Sequence, residues 1–446
     1  MIGTVWLNGG GSHSFSISPE SSVSRPSFRF LILTGLGLAL LVADAATSFA
    51  QAIDQTQIEQ LGNPFFPGND NRRYARNVWD MQVFGDRLYF GHGNSSNLAP
   101  APNAGPIPVI SYRESAGFNT ETVLDEEQIE RFRVTGGQLT VPGHDPVLGA
   151  GQGTWSRLES GGWVTRNNIP NNGTSHTYDM IEHNGNIYAA LGSRRPVAVS
   201  TDNGQSFQSA IGDVGDQRLY DFLNVNGDLY AVGGLNTTIN GVRRNRGFAK
   251  LESDGQFSIS TRVTESVAFP GYNNSRAFDT ETAPRSAQLG NQTVYVGALA
   301  VNDHQWDPFG LYAATGDFDQ VDDLLGGISR GKPFDLLSVS DSELWVLTGQ
   351  EQADGWTIEV LSTTDLNQFD PIVSFTSPTF ARSFELFNDD LYFGLGSFTD
   401  DIDPATGNVL RIRSESFISA VPEPGTTGLM VAAMVGGVYR RRRKAG

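Results

Sequence analysis

Asp221-Phe-Leu-Asn-Val-Asn-Gly-Asp-Leu229-Tyr-Ala-Val is a hairpin written in one line: an apolar strand, an Asn-Gly turn, and a second strand opening on Leu-Tyr. Asn-Gly is the strongest short-range turn signal because both residues tolerate positive φ. The same line recurs as Asp179-Met-Ile-Glu-His-Asn-Gly-Asn-Ile187-Tyr and as Asp80-Met-Gln-Val-Phe-Gly-Asp-Arg-Leu88-Tyr. Weaker copies place the anchor residue at Val294, Leu344 and Leu391, and a degenerate copy, Phe132-Arg-Val-Thr-Gly-Gly-Gln-Leu139, fills the gap between the first two. The seven anchors, 88, 139, 187, 229, 294, 344 and 391, stand 42 to 65 residues apart. Each is followed by a second hairpin ending in an aromatic: Phe118, Trp163, Phe207, Phe257, Phe318, Phe369 and Phe417. Two hairpins per period of about 50 residues make a four-stranded blade, and seven periods predict an all-β, seven-bladed β-propeller over residues 77–420. Residues 51–76, with Pro64 and Pro67, read as a lead-in that supplies a closing strand or cap, since an open ring would expose sheet edges.

Composition agrees. The chain of 446 residues holds 51 Gly, 27 Phe, 12 Tyr and 7 Trp, a turn-rich and aromatic balance that suits β structure. It has no Cys, which excludes disulfides, Cys nucleophiles and Cys-ligated metal. The two ends carry seven basic and three acidic residues. The body between them is left with 24 basic against 46 acidic residues, a net charge of -22 that excludes nucleic acid as a partner.

The ends carry addresses. Residues 1–50 read as a leader with a signal peptide: Arg25 and Arg29, an apolar run from Phe30 to Ala43 forming a signal helix, and the small-residue site Ser48-Phe49-Ala50. The alternative is an uncleaved N-terminal anchor. The last residues, 421–446, read Val421-Pro422-Glu423-Pro424-Gly425, then a short apolar stretch, then Arg440, Arg441, Arg442, Arg443 and Lys444. The basic cluster stops transfer through a bilayer, and the apolar stretch is expected to form a short C-terminal transmembrane helix. Its length falls below the ~20 residues of a usual span, which suits a temporary anchor. This tail resembles the PEP-CTERM sorting signal. The resemblance implies partners in exosortase and the secretion machinery and a transient stay in the inner membrane. It further implies delivery to the surface or exopolysaccharide matrix of a Gram-negative-type bacterium. It carries no activity of its own; the alternative is a plain tail anchor.

One second hairpin, Ser200-Thr-Asp202-Asn-Gly204-Gln-Ser-Phe207, resembles the Asp-box of sialidase-like propellers, with looser echoes at Asp254-Gly255 and Asp365. Asp-boxes are structural devices remote from catalytic centres.

The links between blades and between second and third strands fall on one face of such a ring. That face is expected to gather His92, His144, His176 with Tyr178, and His304 as candidate base and acid. Arg194, Arg195, Arg243, Arg244 and Trp306 are the candidate binding residues on the same face. His183 falls in a turn on the other face. One reading is a polar pocket that holds extracellular polysaccharide, using a mix of residue types similar to that of seven-bladed polysaccharide lyases. The other is that polar loops collect there without a site. Asp80, Asp179, Asp221 and Asp335 either cap turns or line the channel mouth. Asp400, Asp401 and Asp403 either hold Ca²⁺, the one cofactor the sequence suggests, or form a solvated turn. Gly326-Gly-Ile-Ser-Arg-Gly331-Lys332 lacks the Ser or Thr of a phosphate loop and leads into a strand, so it is set aside. The function expected is a non-catalytic glycan- or protein-binding propeller; the alternative is a secreted polysaccharide lyase or glycoside hydrolase with its active site on the loop face.

Overall fold

The computed structural model describes residues 51–65, 76–96, 103–147, 153–170, 176–192, 196–210, 218–234, 237–239, 242–244, 247–272, 280–301, 305–326, 330–398 and 403–417. The chain divides after Thr47, and everything described lies in the second unit.

Seven antiparallel sheets form the seven blades, each laid down from its innermost strand outward. The innermost strands are Asn77–Phe84, Arg133–Thr135, Thr177–His183, Leu219–Val225, Thr280–Leu289, Lys332–Ser340 and Ala381–Phe387. The anchor residues all stand on the second strands, paired back across tight turns. In blades 3 and 4 those turns are Asn184-Gly185 and Asn226-Gly227, with φ of 50° and 76°, and of 52° and 92°. Two consecutive positive φ values make the turn whose twist matches the strands it joins, which is why Asn-Gly marks the repeat.

Blade 7 is completed from the other end of the chain. Its first three strands end at Val409–Ile412, and the fourth is Ile58–Gly62, paired antiparallel with Ile58 opposite Ile412. Gln51–Ala52 adds a fifth, parallel strand to blade 6, Gln51 opposite Val373. Arg411 clasps the closing strand by pairing with Glu59. Phe417 therefore ends no hairpin. It lies in the four-residue helix Ser414–Phe417, and the outer strand expected there comes from the lead-in.

The core sits in the seams between blades. Tyr188, Val199, Phe222, Leu229 and Phe257 fill the seam between blades 3 and 4. Tyr188 and Phe257 meet edge-on at 5.7 Å, the packing aromatic pairs prefer.

The Ser200–Phe207 turn is built by its own side chains. The Gly204 amide donates to Ser200 Oγ at 2.7 Å, and the Ser206 amide donates to Asp202 Oδ1 at 2.9 Å. Gly204 has φ of 82°, and a Cβ there would meet the Trp155 ring at 2.7 Å. Arg157 Nη1 donates to the Asn203 carbonyl at 3.0 Å, so the turn docks on the preceding blade. Strand polarity puts this turn on the face opposite the links between blades.

One expectation of the fold class is corrected. Among the described residues no helix is long and apolar enough to cross a membrane. The α-helices described are Glu265–Ala268 and Ser414–Phe417, four residues each. The signal helix expected within 1–50 and the short transmembrane helix expected within 421–446 lie outside the described residues. The fold class is an all-β seven-bladed propeller without them.

Candidate functional site

The innermost strands carry the groups that face the axis. Four of them slip register next to an aspartate: between Val78 and Asp80, Thr177 and Asp179, Leu219 and Asp221, and Pro333 and Asp335. A bulge re-aims a side chain. Here it turns each aspartate toward the next blade. Asp80 accepts from the Phe132 amide at 2.6 Å, Asp179 from Phe222 at 2.9 Å, Asp221 from Ala283 at 3.1 Å and Asp335 from Phe384 at 3.1 Å. The repeating aspartates are bolts between neighbouring blades.

Blade 2 breaks the pattern. Eight residues before its anchor Leu139, where blades 1, 3 and 4 have Asp, stands Arg131. It is 3% exposed and pairs with Asp179 at 3.1 Å, with Glu130 at 3.0 Å and with Asp221. Arg133 adds a two-pronged pair with Asp179 at 2.8 and 2.9 Å. Burial pushes the Asp179 carboxyl up, but Arg131 and Arg133 outweigh it and hold the group below its ordinary range. At Asp221 burial wins, and the carboxyl is pushed up to about 6.

Above blades 1 to 4 the links converge on a second cluster. His176 Nδ1 lies 2.9 Å from the His144 carbonyl and 3.5 Å from Asp145 Oδ1. Its ring stacks parallel on Tyr178, which also meets His144 edge-on at 5.1 Å and Tyr220 at 5.0 Å. His144 Nδ1 is 3.3 Å from Glu130 Oε2, joining this cluster to Arg131. Glu126 accepts from Thr154 Oγ1 at 2.6 Å and from the Asp145 amide at 3.0 Å. Asn103 Nδ2 donates to Glu127 at 2.6 Å. Burial pushes Glu126 up to about 8 and Glu127 up to about 7, the latter helped by Asp145. Burial also holds the His144 imidazole well below its ordinary value, with His176 and Arg131 adding repulsion. His144 and Tyr178 are buried, whereas His176 and Tyr220 are partly exposed.

The structure thus brings together His144, His176 and Tyr178 and sets His92 and Trp306 apart from them. His92 is fully buried in blade 1, stacked on Phe65 at 4.0 Å, with Nε2 2.6 Å from the Pro108 carbonyl. Trp306 is 3% exposed and lies under Arg382, whose guanidinium is 4.4 Å from the ring centre. Arg243 and Arg244 fall on a separate two-stranded ribbon, Thr237–Ile239 with Val242–Arg244, inserted between the second and third strands of blade 4. Asp403 shapes a turn, accepting from the Ala405 amide at 2.7 Å. No cluster of three or more metal-ligating side chains occurs among the described residues. His183 is buried beside Tyr188 in blade 3. His304, Arg194, Arg195, Asp400, Asp401 and the sorting residues from Val421 onward lie outside the described residues.

Glu126, Glu127, Glu130, Arg131 and Tyr220 were not singled out from the sequence. Two signals were there: the acidic run Asp125-Glu-Glu127 in a link between blades, and an Arg in a column of Asp.

Residues 420–444 match the PEP-CTERM protein-sorting motif, a stretch that holds both Val421–Gly425 and the Arg cluster. Such a tail marks an exported, surface-associated protein handled by an inner-membrane sorting system. No curated protein matches the chain. Among solved structures the chain is similar to YCF48 bound to D1 peptide, at 12% identity and a TM-score of 0.43, over 81% of this chain and 98% of that one. It is also similar to Chaetomium thermophilum Sqt1 bound to the N-terminus of the ribosomal protein L10, at 12% identity and a TM-score of 0.42, over 80% and 100% of the two chains. Neither likeness bears on function.

Proposed function

We propose that this protein is an exported, non-catalytic propeller that binds extracellular polysaccharide through the loop face of blades 2 to 4. Exosortase processes it at the tail, and it is delivered to the surface or exopolysaccharide matrix of a Gram-negative-type bacterium. The observation that carries the reading is the aromatic and carboxylate cluster. His176 and Tyr220 are partly exposed on a buried Tyr178, with Asp145 beside them. Aromatic faces flanked by hydrogen-bonding groups hold ring-shaped, hydroxylated ligands. Arg194, Arg195, Arg243 and Arg244, the binding residues expected from the sequence, would supply cations for the carboxylates of an acidic glycan. The burial of His144 and Tyr178 speaks for binding rather than turnover, because an acid or base must reach the proton it moves.

The test is retention of the full chain on an array of acidic and neutral polysaccharides, with calcium and with chelator. Retention that is lost in His176→Ala and Tyr220→Ala supports the reading. Loss under chelator would implicate calcium at Asp400, Asp401 and Asp403. No retention on any glycan, or release of unsaturated or reducing ends, would overturn it, the latter in favour of a lyase or hydrolase.

A further inference from the structure

On the axis, between the innermost strands of blades 5, 6, 7, 1 and 2, lies a partly enclosed cavity of about 210 Å³. A single water needs only ~10–15 Å³ of such space, so this cavity admits a small organic molecule and excludes a polymer. Six charged side chains line it: Arg131, Arg133, Arg285, Asp80, Asp335 and Glu385. Three guanidinium groups stand against three carboxyls, sorted by sector. The acids stand on three consecutive blades, 6, 7 and 1. Arg131 and Arg133 belong to blade 2, and Arg285 to blade 5.

One of these groups, Glu385, is incompletely matched. Arg131 is 3% exposed, its guanidinium shared among Asp179, Asp221 and Glu130, and Arg133 beside it is part-exposed. Glu385, 9% exposed, accepts from the Leu386 amide at 2.9 Å and from the Val83 backbone, has no ion pair among the described residues, and feels the two acids Asp335 and Asp80. Arg285 is already committed to Asp335 at 3.2 Å and faces Asp80 at 3.6 Å. The cavity therefore presents two guanidinium groups on one side and a carboxyl without a cation on the other. Met81, Leu337 and Phe384 share the wall, which disfavours a bare hydrated ion.

We propose that this cavity binds a small zwitterion of the α-amino acid class. Its carboxylate is received by Arg131 and Arg133, and its ammonium by Glu385 with Asp80 and Asp335 behind it. The site is independent of the glycan face. Burial first, and then Asp335 and Asp80, push Glu385 up to about 8, so the group carries a proton at neutral pH. An arriving ammonium favours the ionised carboxyl, so uptake of the ligand releases that proton.

The experiment is titration calorimetry on the full chain in detergent, with alanine as the probe. Propionate and ethylammonium each present one half of the ligand. Each measurement is repeated in two buffers of different ionisation heat. Alanine should bind in the millimolar range or tighter, both half-ligands at least about tenfold weaker, and binding should release a proton. Glu385→Gln should weaken alanine binding by about tenfold to a hundredfold and abolish the proton release, with the melting curve confirming a folded ring. No heat with alanine overturns the proposal. So does equal affinity for alanine and ethylammonium, or a Glu385→Gln protein that binds alanine like the parent.

Discussion

Replacing Asp179 with Ala should destabilise the ring more than any other single aspartate substitution in the channel. The side chain is fully buried. It receives Arg133 through two contacts at 2.8 and 2.9 Å, Arg131 at 3.1 Å, and the backbone amides of Met180 and Phe222 at 2.8 and 2.9 Å. Removing one partner of a buried ion pair costs about 3–5 kcal/mol, because the charge left behind is unmatched. Arg131 keeps Asp221 and Glu130, and Arg133 is part-exposed and reaches water, which limits the damage. The two amides have no such escape. Unfolding entropy of ~2.1 cal/mol/K per residue over roughly 370 residues turns that range into a fall in Tm of about 4–6 °C. The assay is a calorimetric melt near pH 6 beside Asp86→Ala, whose exposed pair with Arg113 is worth at most about 1 kcal/mol. If both variants melt together, the aspartates are not bolts between blades. The pH dependence adds a check. A depressed carboxyl contributes stability above its unfolded value and loses it as pH falls through the folded value. The gap between parent and Asp179→Ala should therefore close in acid.

Four other outcomes follow from the same structure. Glu126 and Asp335 are pushed the other way, to about 8 and about 7, so their contribution is complete in acid and lost as pH rises through that range. Glu126→Gln should flatten the decline of stability between about pH 5 and 8 by up to about 1.4 kcal/mol per pH unit, read from urea melts. Arg382 is fully buried among Trp79, Trp306 and Phe380 with no carboxylate in ion-pair range among the described residues, so Arg382→Met should melt no lower than the parent, whereas Arg131→Met should melt several degrees lower. Deleting residues 51–62 removes the outer strand of blade 7 and bares the edge at Val409–Ile412; size-exclusion chromatography should show more association than the parent shows under the same conditions. Gly204→Ala, forced against Trp155 at positive φ, should lower stability by about 1–3 kcal/mol in the same melts.

Seven blades were legible because each inner hairpin must solve one local problem, a tight turn between two apolar strands, and draws on a small set of residues to do it: Gly, Asn, Asp or Ser in the turn and an aliphatic anchor followed in most blades by an aromatic. Closure was legible only as a need. The partner of Ile412 is Ile58, some 350 residues away, and no local pattern marks a five-residue strand with that address. Phe417 filled the expected place by spacing alone. The site was legible in part. His144, His176 and Tyr178 do meet, because the links of blades 2 and 3 are adjacent in a ring. His92 has the same residue type and was expected in the same kind of loop, but it stands near the end of the strand Arg87–Gly93, and Phe65 from the lead-in covers it. Burial of that kind depends on long-range closure and leaves no trace in the neighbouring residues. Arg131 could have been found from its column. An Arg where three other blades keep Asp signals a charge network across the axis rather than a loop residue.

The account rests most heavily on the loop face of blades 2 to 4 being the binding surface. Hydrogen–deuterium exchange of the full chain, with and without the polysaccharide retained on the array, tests this directly. Protection should gather in the links around Glu126–Arg131, His144–Asp145, His176–Tyr178 and Tyr220. Protection confined to the opposite turns, at Asn184-Gly185, Asn203-Gly204 and Asn226-Gly227, would contradict it.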